Sequence, residues 1–278
     1  MIYRDLGVSK LDVARYYDAV AEWMLPHVVG RPLTLLRCGR AIDPSAEKGG
    51  CVMMRHGKAW GPSALRRVRI RELRKVGEYL VADTREALVA LAQMGVLEIH
   101  TWNADAEEPY LHDRVILDLD PGAAIEWNAV VGAAKLIRKA LTAVGLASWV
   151  KTTGGKGLHV VAPVERAPYE ACLAFARTAA AALVQHDPVL FTTDVRKEGR
   201  EDKILIDTLR NNRTNTAVAA YSLRARAGAP VSFPIDWGDL TARLDPTRFN
   251  VRTVPDRLRR DGDAWDGYAS ARQALPRG

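Results

Sequence analysis

Hydrophobic and polar residues alternate along the chain with two periods, one typical of helices and one typical of strands. After a potential N-cap at Ser9, "KLDVARYYDAVAEWML" predicts a helix that ends before the Gly30-Arg31-Pro32 turn. Strands are predicted for "RPLTLLRCG", "GGCVMMRHG" and "ALRRVRIREL", followed by a helix in "TREALVALAQMG" and a strand in "VLEIHTW".

A second set of elements follows the first. It consists of the strand "RVILDLDPG", the helix "IEWNAVVGAAKLIRKALTAVG", the strand pair "SWVKTTGGKGLHVVAPV", the helix "PYEACLAFARTAAAALVQ" and the strand "KILIDTL". This alternation predicts an α+β (mixed α/β) fold with helices packed on a sheet. Beyond Asp236 the chain is rich in Arg, Asp and Pro with little periodicity, which predicts a surface-wrapping segment.

We find no internal repeat and no low-complexity linker, so we expect a single domain over residues 1–278. Its parts are an N-terminal lobe over about residues 1–100, a core over 101–235 and the C-terminal segment 236–278. A chain of this length that is 48% hydrophobic can bury a substantial core.

The charge and hydrophobicity of the chain indicate which kinds of molecule it binds. The formal net charge of +7 favours a polyanion, nucleic acid before membrane. No apolar run is long enough to span a bilayer, and the first residues do not resemble a signal peptide. The three cysteines, Cys38, Cys51 and Cys172, are scattered without CxxC spacing, which indicates a reducing cytosol and argues against a thiolate zinc site.

One predicted strand, "VILDLDPG", has two carboxylates inside an apolar run. Because successive side chains point to opposite faces, Asp118 and Asp120 share one face and Leu119 takes the other. Like charges this close repel, so we expect a positive group between them. Pro121-Gly122 ends the strand, where open α/β sheets often bind ligands. A salt-bridged structural pair and a Mg²⁺ or Mn²⁺ site both fit this motif.

Asp207, in "KILIDTLRNN", is a third carboxylate inside an apolar strand. Taken alone it fits a strand-end turn residue. On a strand beside Asp118 and Asp120 it would complete a two-metal cluster. In such a cluster one metal activates an attacking 3′-hydroxyl, and the other holds the triphosphate and stabilises the leaving pyrophosphate.

The predicted turn in "KTTGGKGLHVVAP" combines residue types that bind anions. These are Thr153, Gly154, Gly155, Lys156, Gly157 and His159. The glycines let backbone amides approach an anion, and the lysine adds a charge. The turn is not a Walker A loop, because a strand follows it. A simple turn with a packed histidine is the alternative, but beside a metal cluster the set suits a nucleoside triphosphate.

Basic residues surround Asp207 in the sequence. They are Arg196, Lys197, Arg200, Lys203, Arg210, Arg213, Arg224 and Arg226. Arginine forks clamp phosphate oxygens while carboxylates hold cations, which is what polyphosphate chemistry needs. Arg67, Arg69 and Arg71 form a second basic face, which is either a solvated surface or a phosphate-facing strand.

The ordered set "DLDPG", "KTTGGKGLH" and "ILIDTLRNN…AVAAYSLRAR" closely resembles one family, the polymerase domain of bacterial ligase D in the archaeo-eukaryotic primase superfamily. The resemblance runs from about Tyr3 to "DAWDGY" and includes "SKLDVARYYDAVAEWMLPHVVGRP", "LEIHTWNA" and "GAPVSFPIDW". It implies a primase-type catalytic core with an RRM-like sheet, plus a second α/β lobe that helps to form a cleft.

The resemblance also implies roles for individual residues. Asp118, Asp120 and Asp207 match the metal-binding triad of the family. The residues that match its triphosphate contacts are Thr153, Gly154, Gly155, Lys156, His159 and Arg224. Lys10 matches a lysine that grips the 5′-phosphate of a DNA end.

The chain departs from the family at "CVMMRHG", where relatives typically have "CFFQKH". Their paired Phe residues stack on bases, which is worth roughly 1–3 kcal/mol per base, whereas Val52 and Met53 offer no aromatic face. Arg55 keeps the positive charge of the usual Lys. Relatives also begin several residues earlier with another basic residue, so we expect a weaker 5′-phosphate site.

Taken together, these features predict a metal-dependent nucleotidyltransferase that adds nucleotides to 3′ ends of DNA in non-homologous end joining. The resemblance implies Mn²⁺ or Mg²⁺ as cofactor, ribo- or deoxynucleoside triphosphates as substrates, and gapped or 3′-overhang DNA as partner. It further implies Ku and ligase or nuclease domains as partners, and a bacterial cytoplasmic, nucleoid-associated location. Two alternatives stay open, a DNA-end-binding module without catalysis and a haloacid-dehalogenase-type phosphatase.

Overall fold

The computed structural model describes residues 1–39, 50–57, 61–196 and 198–276. The helices are α1 (Lys10–Val28), α2 (Arg85–Gln93), α3 (Trp127–Ala143), α4 (Tyr169–His186) and α5 (Val254–Asp261). The first six strands are β1 (Leu33–Cys38), β2 (Cys51–Met54), β3 (Arg66–Arg71), β4 (Val76–Val81), β5 (Val96–Thr101) and β6 (Leu111–Pro121). The others are β7 (Trp149–Thr152), β8 (Leu158–Pro168), β9 (Phe191–Thr192), β10 (Ile204–Asp207), β11 (Ala217–Val218) and β12 (Pro234–Ile235).

The chain divides into two compact units, each built around its own sheet. Unit 1 comprises Met1–Pro109, Thr216–Phe233 and Thr247–Asp263. Unit 2 comprises Tyr110–Asn215, Pro234–Pro246 and Ala264–Gly278. No described helix is long and apolar enough to cross a membrane.

In unit 1 the sheet has the order β11-β5-β1-β4-β3, and β2 also pairs with β1. Helix α1 begins where predicted, because Ser9 and Asp12 form a reciprocal capping box at its N-terminus. Two tyrosines of α1 donate hydrogen bonds to backbone carbonyls elsewhere in unit 1. The Tyr17 hydroxyl donates to the Leu97 carbonyl at 2.7 Å, and the Tyr16 hydroxyl donates to the Tyr221 carbonyl at 2.8 Å.

A disulfide in unit 1 was not predicted. Cys38 and Cys51 are 13 residues apart in sequence but lie opposite each other on β1 and β2, and they are bonded. Cys172 is buried and keeps its thiol. The cysteines, which are scattered in the sequence, are therefore partly paired in the fold.

In unit 2 the sheet has the order β12-β7-β8-β6-β10-β9, with antiparallel pairing throughout except between β9 and β10. Strand β6 holds "VILDLDP" and lies between β8 and β10, so its apolar side chains are buried beneath helices α3 and α4. The strand ends at Pro121, as predicted. β7 and β8 form the predicted antiparallel pair.

Several elements were missed by the sequence analysis. Strand β4 follows β3 directly and pairs with it along its whole length. Helix α5 lies in the segment expected only to wrap the surface, yet Val254 and Leu258 on this helix are buried. Trp265 is also buried, and its indole N–H donates to the Val150 carbonyl at 2.8 Å. Part of this segment is therefore core.

The Gly-rich turn packs closely on β6, and substitutions at two glycines of unit 2 test this packing. A Cβ on Gly157 would lie 2.2 Å from the Leu119 carbonyl oxygen, which is backbone and cannot turn away. We expect Gly157→Ala to lower the free energy of unfolding by about 3 kcal/mol. Gly132→Ala is the control, because Gly132 is an exposed position in α3 with open space around it. The added methyl should raise the free energy of unfolding by roughly 0.5–1 kcal/mol. Guanidinium titrations of both variants check this, and equal effects would contradict it.

Candidate active site

The main feature of the candidate site is a single row of polar side chains across four strands of unit 2. Lys151 on β7 is opposite His159 on β8, and His159 is opposite Asp118 on β6. Asp118 is in turn opposite Asp207 on β10. Directly opposite residues of antiparallel strands project to the same face. The three motifs of the sequence analysis therefore meet on one face of one sheet.

Arg210 separates the charges of the two buried carboxylates in this row. Its Nε donates to Asp118 Oδ2 at 2.9 Å, and its Nη2 lies 3.2 Å from Asp207 Oδ2. Burial would raise the pKa of Asp118, but His159 and the Arg210 guanidinium lower it well below its usual value. Asp207 behaves differently, because burial and the neighbouring carboxylates raise its pKa despite Arg210. We expected one positive group between Asp118 and Asp120; instead Arg210 lies between Asp118 and Asp207, and a different arginine pairs with Asp120.

Asp120 lies two residues further along β6 and is paired with a second arginine. Its side chain is 54% exposed, whereas that of Asp118 is 9% exposed. Arg200 Nη2 donates to Asp120 Oδ2 at 3.0 Å. The segment before β10 brings Arg200 there, since Gly122 N–H donates to the Lys203 carbonyl at 2.8 Å. Arg200 Nη1 is buried and has no hydrogen-bond partner among the described residues.

His159 is neutral at pH 7. Burial and the charge of Lys151 lower its pKa to about 4, against the opposing effect of Asp118. Its Nε2 lies 3.3 Å from Asp118 Oδ1. Its Nδ1 is buried without a hydrogen-bond partner among the residues that the structure describes. Together with Arg200 Nη1, this atom is one of two buried nitrogens at the site that a ligand oxygen or proton could satisfy.

The Gly-rich turn joins β7 to β8 beside this row. Both the backbone N–H and the hydroxyl of Thr153 approach the Gly157 carbonyl, at 3.1 Å and 3.2 Å. Gly154 has a φ of +67°, a conformation that favours glycine, which explains its place in the turn. The Lys156 side chain is exposed. The turn is therefore closed on itself, with its lysine directed to solvent.

Asn211 was quoted in the sequence analysis only as part of a motif, and it has a structural role that was missed. Its Oδ1 accepts from the Ile116 N–H at 2.8 Å, and its Nδ2 donates to the Ile116 carbonyl at 2.7 Å and to the Thr208 carbonyl at 3.0 Å. It is fully buried. Asn211 thereby fixes the short 3₁₀ turn Leu209–Asn211, which contains Arg210, to strand β6.

The three aspartates have the chemistry of a divalent-cation site. Carboxylate oxygens are the ligands that Mg²⁺ and Mn²⁺ prefer, and a cation would offset both the burial and the carboxylate repulsion that raise the pKa of Asp207. Within the described part of the chain, no three Asp, Glu, His or Cys side chains already converge as a metal cluster. Arg210 and Arg200 contact the carboxylates instead. The donor set fits a cation in type and charge.

The other predicted site residues belong to unit 1. Arg224 Nε lies 3.1 Å from Glu98 Oε2. Although burial raises it, the pKa of Glu98 falls to about 2 through His100 and Arg224. Lys10 is exposed at the start of α1 and lines a cavity of about 630 Å³. Met53 and Arg55 are exposed.

Most of the predicted basic series is engaged away from the carboxylate row. Arg196 pairs with Asp194, Lys203 donates to the Pro188 carbonyl, and Arg213 donates to the Tyr110 hydroxyl. Lys197 lies outside the described residues. On the second basic face, Arg67, Arg69 and Arg71 are exposed, and Arg67 pairs with Glu78. Only Arg200 and Arg210 of the series reach Asp118, Asp120 or Asp207 among the described ion pairs.

Comparison with known proteins agrees with the motifs. A family model described as "LigD, primase-polymerase domain" matches residues 9–265. The multifunctional non-homologous end joining protein LigD of Pseudomonas aeruginosa is 33% identical over 280 residues, covering 99% of this chain and 32% of that protein. Its counterpart in Mycobacterium tuberculosis is 31% identical over 276 residues, covering 95% of this chain and 35% of that protein. The chain thus spans about a third of the length of these relatives.

A solved structure shares the fold over almost the whole chain. It is the polymerase domain from Mycobacterium tuberculosis ligase D in complex with DNA, with a TM-score of 0.88 and 27% sequence identity. The match covers 97% of this chain and 95% of that one. This confirms the predicted mixed α/β fold.

The hydrogen bonds of the Asn211 side chain to the Ile116 backbone, here called the Asn211 clamp, yield a stability prediction. Asn211→Ala leaves the Ile116 N–H and the Ile116 carbonyl without their partner in the interior, so we expect the free energy of unfolding to fall by about 2–4 kcal/mol. Asn212→Ala is the matched control, because Asn212 makes a part-buried bond to the Arg213 N–H and should lose less than about 1 kcal/mol. Urea titration of both variants measures the difference. Similar losses would show that the clamp does not stabilise the site.

Proposed function

Because the chain belongs to the LigD primase-polymerase domain family, we propose that it is a metal-dependent nucleotidyltransferase that extends 3′ ends of DNA at breaks or gaps. The proposal rests on the row in which Asp118 and Asp207 face each other beside His159 and the Gly-rich turn. Carboxylates for a cation and groups for a triphosphate then lie on one face of one sheet. The family match favours this reaction over the haloacid-dehalogenase-type phosphatase.

Asp118, Asp120 and Asp207 are the residues proposed to hold Mn²⁺ or Mg²⁺. The bound cations would supply activation of the primer 3′-hydroxyl and charge stabilisation for the leaving pyrophosphate. The low pKa of Asp118 keeps it an anionic ligand at neutral pH. Arg200 and Arg210 contact these carboxylates, and a cation that took their place there would leave both guanidinium groups available to phosphate oxygens.

The incoming nucleotide is proposed to bind through Thr153, Gly154, Gly155, Lys156, His159 and Arg224. The exposed Lys156 supplies a mobile positive charge, and His159 supplies the unsatisfied Nδ1 in a buried position. Since His159 is neutral at pH 7 and its Nε2 faces Asp118 Oδ1, its Nδ1 can only accept a hydrogen bond, so it would bind a phosphate oxygen through a bridging water. The preference for ribonucleotides and for Mn²⁺ over Mg²⁺ follows from the family resemblance.

The proposed partners are those of an end-joining polymerase. Lys10 would contact the 5′-phosphate of a DNA end, and β2 would contact the template through Met53 and Arg55. The relatives are non-homologous end joining proteins, which supports gapped or 3′-overhang DNA as substrate. We extend the proposal to Ku and to ligase and nuclease domains as partners, acting at the nucleoid in the bacterial cytoplasm.

Primer extension on a 5′-phosphorylated gapped duplex tests the reaction. With Mn²⁺ present, Asp118→Ala should lower the extension rate at least about 10²-fold, because it removes a ligand whose cation supplies several kcal/mol of transition-state stabilisation. Glu165→Ala is the control, since Glu165 is an exposed carboxylate on β8 and should retain wild-type rates. Parallel reactions with ribo- and deoxynucleotides measure sugar preference.

The alternative of a DNA-binding module without catalysis has its own outcome in that experiment. DNA binding with no extension by the wild-type protein would establish it. Release of inorganic phosphate in place of pyrophosphate would instead identify a phosphatase.

The missing Phe pair yields a second prediction. Val52 and Met53 are 67% and 54% exposed, so aromatic rings placed there would be accessible to bases. The double change Val52→Phe with Met53→Phe should tighten binding of a template overhang about tenfold, since each stacked base is worth roughly 1–3 kcal/mol. Fluorescence anisotropy at fixed salt measures this. Val189→Phe, at a position 76% exposed, is the control for added surface aromaticity, and an equal gain there would contradict base stacking on β2.

A further inference from the structure

We propose that Cys38 and Cys51 are a redox-modification site, a dithiol that hydrogen peroxide oxidises to a disulfide. Oxidation would fix strand β2 covalently to its sheet. The first part of the inference concerns the thiols alone. The second part, that the bond tightens the grip on a template strand, rests on the proposed function of β2.

The two cysteines are placed to react with each other in the folded protein. They are register partners at one end of the β1–β2 pair, with their Cα atoms 4.1 Å apart. Cys38 is anchored on its other side, because its N–H donates to the Gly95 carbonyl at 2.8 Å. The bond therefore needs no rearrangement of the sheet to form or break.

The surroundings of the pair favour oxidation. Cys51 is partly exposed, so it can meet a small oxidant, whereas Cys38 is 2% exposed. Cys38 also lines the cavity of about 630 Å³, so the pair can be reached from this side by a small molecule. Cys172 offers a contrast in the same chain, because burial raises its pKa to about 12.

The reaction balances with peroxide as the two-electron oxidant. The Cys51 thiolate attacks one peroxide oxygen, the O–O bond breaks, and the released hydroxide takes a proton to become water. The Cys38 thiolate then attacks the sulfenic sulfur of Cys51, the S–O bond breaks, and the second oxygen leaves as water. Two thiols and one peroxide give one disulfide and two waters. A dithiol reductant reverses the change by thiol–disulfide exchange.

Strand β2 is the element that this bond controls. It has four residues, and β1 is its partner in the described sheet. Val52 and Met53, which directly follow Cys51, are exposed, so β2 buries little side-chain surface of its own. A central strand is already held by two neighbouring strands. A covalent bond at Cys51, the first residue of β2, therefore restricts the motion of β2 more than the same bond would restrict a central strand. A binding strand held in place before it meets its ligand binds more tightly.

The chemical part is tested by counting thiols in the 278-residue chain. Alkylation with N-ethylmaleimide under denaturing conditions should label all three cysteines after reduction, and Cys172 alone after stoichiometric peroxide. Peptide mapping should recover a Cys38–Cys51 cross-link. Retention of three labels after peroxide, or a cross-link that involves Cys172, would overturn the proposal.

The structural part is tested by comparing oxidised and reduced protein. The oxidised form should melt at least about 5 °C higher, because the bond limits the unfolded chain. Anisotropy with a 5′-phosphorylated overhang duplex should show roughly three- to tenfold tighter template binding in the oxidised form. C51S is the control. With or without peroxide, it should show the melting temperature and the template affinity of the reduced protein. This control also reveals any effect of oxidising the exposed Met53.

The two parts fail in distinguishable ways. A melting difference without a difference in template affinity overturns the link between the disulfide and the template and leaves the redox site standing. Absence of DNA binding in both redox states contradicts the proposed function of β2, while the thiol count still decides the chemistry. A peroxide effect of equal size in C51S would assign the change to Met53 and overturn the proposal.

Discussion

Two carboxylates, Asp118 and Asp207, face each other directly across an antiparallel strand pair, and a positive group must compensate their charges. Arg210 does so, and its position depends on the 3₁₀ turn that Asn211 fixes to β6. Asn211 in turn needs the Ile116 backbone at a set point on that strand. The register of β6 and β10, the turn and the arginine therefore form one dependent set, in which the loss of any member leaves a buried charge or polar group unsatisfied.

The same row changes from negative to positive charge along its length. Lys151 and burial keep His159 neutral, so the lysine charge and the aspartate charges are separated by an uncharged ring. The carboxylate side of the row then suits a cation. The metal–triphosphate complex proposed to bind here would present its cation to that side.

The sequence predicted those parts of the fold that depend on local pattern. The apolar alternation of β6, the Pro-Gly that ends it and the Ser9 cap of α1 each need only a few neighbouring residues. It failed where the interaction is non-local or the pattern is weak. Cys38 meets Cys51 through strand pairing, Asn211 meets Ile116 from 95 residues away, and α5 is a short, mostly charged helix with two buried residues. The pairing of Arg200 and Arg210 with the aspartates likewise needed the sheet register, although the demand for positive charge could be deduced beforehand.

The residues proposed for catalysis and those proposed for base contacts belong to different units. The free energy of metal and triphosphate binding and the free energy of template binding therefore come from different parts of the chain. Asp118, Asp207, His159 and the Gly-rich turn belong to unit 2, whereas β2, with Val52 and Met53, belongs to unit 1. In the proposed function, a loss of aromatic stacking on β2 would weaken the binding of a template, but it would not alter the charges of the row, where the cation and the triphosphate are proposed to bind. Phosphate contacts set the position of a protein on DNA, whereas base contacts read the sequence. A chain that keeps its phosphate contacts and loses base contacts can therefore still bind DNA ends, but it binds the template strand more weakly. The disulfide at Cys51 acts on this second contribution alone, since it constrains the strand that presents Val52 and Met53 and touches no residue of the row.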